Sequence, residues 1–131
     1  MRVFDAIFLA GILLATSCDS APSLSDQVRA AGGTATIIRD CETILAEHQK
    51  TQKEIWTASD TNLPPSIAAL QLQIVQAARY DGFPLVDIQV SGGFTHRGLM
   101  VILTNTPPDF MPRKASWRVT KMADGIFEYR E

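Results

Sequence analysis

Histidine and cysteine are scarce in this sequence, with two of each in 131 residues. No Cys-x-x-Cys or His-x-x-x-His pair occurs, so a structural metal site has no closely spaced ligand set to draw on. The same cysteine count excludes a small scaffold built on several disulfides. A basic excess is also missing: 12 Lys and Arg stand against 14 Asp and Glu, for a formal net charge of -2. A nucleic-acid partner calls for clustered positive charge that displaces counterions from phosphates, so none is expected. No apolar run reaches the roughly 20 residues of a spanning helix, and no repeat or low-complexity segment occurs. No cofactor or metal is expected. What is present, 46% apolar and 20% charged residues, is the profile of one ordinary globular domain in a chain too short for two comfortable cores.

The only continuous strongly apolar stretch is residues 3–15, VFDAIFLAGILLA, and it carries Asp5. Arg2 gives a positive start, residues 6–15 form an apolar centre, and small residues follow, which is the layout of an export signal. Cys18 comes immediately after. The segment Leu14-Ala15-Thr16-Ser17-Cys18 resembles the lipobox of bacterial lipoproteins, with Leu14 one place further from the cysteine than that family's usual leucine. The resemblance implies that residues 1–17 are a cleaved signal peptide and that Cys18, acylated through its sulfur, becomes the first residue of the mature protein. Each buried methylene contributes about 0.8 kcal/mol, so one acyl chain holds a protein reversibly whereas two or more attach it stably. Asp19 is similar to the residue that keeps lipoproteins of enteric-type bacteria in the inner membrane, which implies that membrane where the cell has two. The alternative for the same residues is an exported soluble protein with a Cys18 to Cys41 disulfide.

Residues 18–25 read as a small, polar, proline-bearing tether, and residues 26–131 as a single domain. A short helix over 26–31 stops at Gly32 and Gly33. The main helix is expected over 36–56, because Ile37, Cys41, Ile44, Leu45, His48, Ile55 and Trp56 recur at helical spacing. Beyond the turn formers and prolines of 58–65 the period changes to two. Strands are expected over 73–80, 86–90, 99–103, 117–120 and 127–130, with Asp87 and Gln89 on the solvated side of the second. Helices first and strands afterwards give an α+β fold, one long amphipathic helix packed on an antiparallel four- to five-stranded meander sheet.

Three places could carry chemistry. The segment 91–98, SGGFTHRG, joins two strands; Gly92 and Gly93 could aim backbone amides at an anion while His96 and Arg97 add a base and a charge. Loop glycines more often serve turn geometry. It lacks the Lys-Ser or Lys-Thr of a nucleotide loop. Cys41 and His48, two turns apart on the apolar stripe, read as core residues, since a reactive thiol needs an accessible, electropositive setting. The 12-residue loop TNTPPDFMPRKA, 104–115, is long for a small domain. Its Phe110, Met111, Arg113 and Lys114 suit contact with a partner or lipid headgroups, or else Phe110 and Met111 fold back over the sheet. With no catalytic set assembled, a non-catalytic binding or scaffolding domain at a cell-envelope membrane is expected. The alternative is a small envelope hydrolase or ligand-binding enzyme using His96 and Arg97, with Asp87 or Asp109 as the carboxylate beside His96.

Overall fold

The computed structural model describes residues 23–90 and 96–131. The signal segment 1–17, Cys18, Asp19, Gly92 and Gly93 lie outside the described residues.

Helix α1, Leu24–Ala30, opens on Ser23, whose hydroxyl accepts the Asp26 N–H at 3.1 Å. This cap satisfies one of the orphan donors of the first turn. The last two residues expected as tether, Leu24 and Ser25, thus form the start of a helix, and Leu24 is fully buried. Gly32 and Gly33 turn the chain at φ 117° and 92°, a region that L side chains rarely adopt. Helix α2, Thr34–Thr51, then buries Ile37, Asp40, Cys41, Ile44 and Leu45 along one stripe.

The helix ends earlier than its apolar spacing predicts. Gln52 takes a left-handed conformation, φ 64°, with its N–H on the His48 carbonyl at 2.8 Å, while His48 Nδ1 lies 2.9 Å from the Lys53 carbonyl. Released from the helix, Ile55–Thr57 forms a short strand, β1, that buries Trp56 between two exposed neighbours. A single aromatic anchor fits a strand as well as a helical stripe, which is why spacing alone misassigned it. Helix α3, Pro65–Ala68, carries proline in its first turn and is pinned to α2 by Asp40, which accepts the Ser66 N–H at 3.0 Å.

The remaining strands are β2 (Leu72–Tyr80), β3 (Phe83–Val90), β4 (Arg97–Ile102), β5 (Arg118–Ala123) and β6 (Ile126–Arg130). Together with β1 they form one six-stranded antiparallel sheet in the order β1-β2-β3-β4-β6-β5. The fold is α+β, and the expected four- to five-stranded meander needs correcting in strand number and in order. The reason lies in the last hairpin. Strand β6 buries Ile126, Phe127 and Tyr129 and takes the inner position, whereas the polar and largely exposed β5 is left at the edge. The chain leaving β4 must therefore pass the place filled by β6 before entering β5, and residues 103–117 make that crossing.

One sheet face carries Val75, Ala77, Val86, Ile88, Val90, Leu99, Val101 and Ile126 and packs against α1, α2 and α3. The other carries Leu85, Met100, Ile102, Phe127 and Tyr129. Strand β3 is thus covered on both faces, with Asp87 buried rather than solvated.

Candidate functional site

Among the described residues no helix lies over the second face; the long crossing loop covers it instead. Phe110 turns inward and meets Tyr80, Phe83 and Phe127 edge-on at centroid separations of 5.9, 5.2 and 6.4 Å. Such geometry aligns the positive ring edge with a neighbour's negative face. At the far end of the loop Trp117 stacks on Tyr129 at 5.6 Å and on His96 at 5.4 Å, the latter pair almost parallel at 6°. A three-ring ladder results, running from the fully buried Tyr129 to the half-exposed His96.

Beneath this ladder lies Asp87. Its Oδ1 accepts the Tyr129 hydroxyl at 2.7 Å, and its Oδ2 is paired with Lys114 Nζ. The Lys114 ammonium also stands 5.1 Å from the Tyr129 ring centroid and 6.0 Å from that of Trp117, within cation–π range. Burial, then the charge and hydrogen bond of Asp87, push the Tyr129 phenol well above its ordinary pKa. It therefore stays protonated and keeps donating at any ordinary pH. The cluster needs Gly98, the register partner of Tyr129: a Cβ there would run into the phenol and the Ile88 carbonyl. At this one position glycine serves the close approach of a neighbouring ring.

At the edge of the ladder His96 Nδ1 lies 2.6 Å from Glu131 Oε2, and the His96 N–H donates to the same oxygen at 3.0 Å. The backbone hydrogen bond first, then the imidazole, holds the Glu131 carboxyl below its ordinary pKa. The carboxylate beside His96 is thus Glu131; Asp87 is bound to Tyr129 and Lys114, and Asp109 sits in the crossing loop. His96 and Arg97 fall on different faces of the sheet. His96 joins the Trp117 ladder on the second face, whereas Arg97, the next residue along the strand, lies on the helix-bearing face.

The four loop residues divide by role. Phe110 packs inward and Lys114 pairs with Asp87, but Met111 is 47% exposed and Arg113 is exposed. Between residues 104–108 and the Lys121, Asp124 and Phe127 side of the sheet lies an open groove of about 430 Å³. Cys41 is a free, fully buried thiol whose pKa is pushed up by burial and then by the charges of Asp40 and Glu42, the setting of an inert core cysteine. His48, half-buried, serves the α2 terminus. Among the described residues no group of three His, Cys, Asp or Glu could hold a metal, and no helix is long and apolar enough to cross a membrane.

The sequence reading missed Tyr129 and Trp117 as partners of Lys114. The available signal was an aspartate at the centre of a mostly apolar strand, FPLVDIQV, which asks for a buried donor whenever both faces are covered. In comparisons with known proteins, no family model, no curated protein and no solved structure matches the chain.

Proposed function

We propose that the chain is a non-catalytic binding module of the bacterial cell envelope, held at a membrane by a lipid on Cys18 and, where the cell has two membranes, retained in the inner one through Asp19. The single observation carrying the binding role is the way the crossing loop is fastened. Phe110 and Lys114 tie it to the sheet on either side of Met111 and Arg113, which remain exposed. An apolar tip and a cation held in one conformation lose little entropy when a partner arrives. Anchoring confines the module to two dimensions and raises its effective concentration near other envelope proteins.

Two experiments test the two halves. Cells fed radioactive palmitate should label the wild type and not Cys18→Ser; an unlabelled wild type refutes the anchor. A photo-crosslinking residue placed at 111 should give discrete adducts in intact cells, whereas one placed at the exposed Lys50 should not. Equal patterns from both positions refute the loop as the contact.

A second reading is favoured by the His96 and Glu131 pair, in which the carboxylate stands where the third group of a hydrolase triad orients its base. On this reading the protein is a small envelope hydrolase, and His96→Ala abolishes turnover of model esters while leaving the melting temperature near that of wild type. A wild type that turns over none of them at any pH between 6 and 9 discards it.

A further inference from the structure

The outer end of the helix-bearing face holds an arrangement that neither the loop nor the ladder uses. Arg97 on β4 is directly opposite Arg130 on β6, and Arg130 is directly opposite Arg118 on β5. Directly opposed residues on neighbouring strands share a face, their Cβ atoms about 5 Å apart, and like charges so placed destabilise a sheet. Three arginines therefore stem from one row across three adjacent strands. Among the described residues the only carboxylate paired with them is Glu128, 3.5 Å from Arg130, one step along β6 on the same face. Arg118 has no ion pair among the described residues, and Nε of Arg97 is buried with no hydrogen-bond partner among them. Both facts run against the rule that buried donors are satisfied and juxtaposed like charges avoided. The row borders a depression of about 230 Å³ lined by Arg118, Thr120, Glu128 and Arg130.

The geometry points to a binding site for a phosphoryl group, held by Arg97, Arg118 and Arg130 with Thr120 as a further hydroxyl donor. Three guanidinium charges against one carboxylate leave two positive charges, which matches the dianion of a phosphate monoester better than a single carboxylate. Planar guanidinium forks supply the bidentate hydrogen bonds that tetrahedral phosphoryl oxygens accept. Binding would satisfy the Arg97 Nε–H and relieve the repulsion along the row. Two sources carry the same chemistry: a phospholipid headgroup and a free phosphate ester. A headgroup is one source to test, because Ser25 in the first turn of α1 lines one pocket with Met122, four residues along β5 from Arg118. The five residue-to-residue steps from Cys18 to Ser23 span at most about 18 Å. The site itself stands whether or not Cys18 is acylated.

The test uses the full chain as Cys18→Ser, so that no acyl chain contributes, with the arginine Nε–H resonances observed by nuclear magnetic resonance. Titration with inorganic phosphate should shift the Arg97, Arg118 and Arg130 signals together and saturably, and Arg118→Gln, at an exposed position, should weaken the response at least tenfold. In a second arm, co-sedimentation with vesicles of phosphatidylcholine containing phosphatidic acid, but not with phosphatidylcholine alone, assigns the source to headgroups. Saturable phosphate binding without vesicle association assigns it to a soluble ester. The proposal is overturned by a response to sodium acetate as strong as that to phosphate, by shifts that Arg118→Gln leaves unchanged, or by no response in either arm.

Discussion

Replacing Tyr129 by Phe removes one oxygen atom and little else, because the ring keeps its stacking on Trp117 and its place over Gly98. What is lost is the 2.7 Å hydrogen bond to Asp87 Oδ1. Asp87 is buried, so water does not readily replace the donor, and the carboxylate keeps only Lys114. Hydrogen bonds to a charged group contribute about 1.5–3 kcal/mol, and a buried acceptor left unpaired forfeits that in full. For a domain of this size about 2 kcal/mol corresponds to a melting temperature lower by roughly 8 °C. Thermal unfolding followed by circular dichroism measures it, and the tryptophan fluorescence of Trp117 reports on the ladder itself. Lys114→Met should also destabilise, and the two changes should be non-additive by more than about 0.5 kcal/mol, since both act on one carboxylate. A loss below about 0.5 kcal/mol for Tyr129→Phe, the range of ordinary surface changes, refutes the claim that this cluster fastens the loop.

Other outcomes separate fastening from display. Phe110→Ser should lower stability by about 2 kcal/mol because it strips an apolar ring from the second core, whereas Met111→Ser should stay within about 0.5 kcal/mol, both read from urea midpoints. Gly98→Ala should cost about 1–3 kcal/mol and displace the Tyr129 ring, visible as a changed near-ultraviolet spectrum. Asp40 supplies a pH dependence. Burial alone would raise its carboxyl pKa, but the Ser66 and Arg39 contacts outweigh burial and hold it below the ordinary 3.8. A depressed folded pKa means that Asp40 contributes stability above the unfolded value and loses it as pH falls through the folded one. Asp40→Asn should therefore flatten the stability profile below about pH 4 relative to wild type, measured by denaturant unfolding between pH 2 and 7.

The α+β class was legible in the sequence because helical and two-residue periods occupy separate halves of the chain. The Asp124-Gly125 dipeptide closes the last hairpin, with Gly125 at φ 80°. The order of strands was not legible. Phe127 and Tyr129 alternate with Glu128 and Arg130, which reads as an ordinary half-buried strand. Only three-dimensional pairing reveals that this strand lies inside β5 and is covered by a loop distant from it in sequence. The same limit hid the partners of Asp87 and Lys114, which stand 27 residues apart, and the row formed by Arg97, Arg118 and Arg130. Local patterns carry the alternation of a strand but not its neighbours. The loop 104–115 was singled out by its length and by the apolar and cationic residues it carries, and its length reflects the strand position it must cross.

The fastened loop explains how a contact could be presented, and the proposed anchor on Cys18 would explain where. Intact mass spectrometry of the protein purified from its membrane tests that claim most directly, because cleavage site and modification are read together. The account predicts a chain that begins at Cys18 and carries the added mass of a diacylglyceryl group. A chain that retains residues 1–17, or one in which Cys18 is unmodified or disulfide-linked to Cys41, contradicts it.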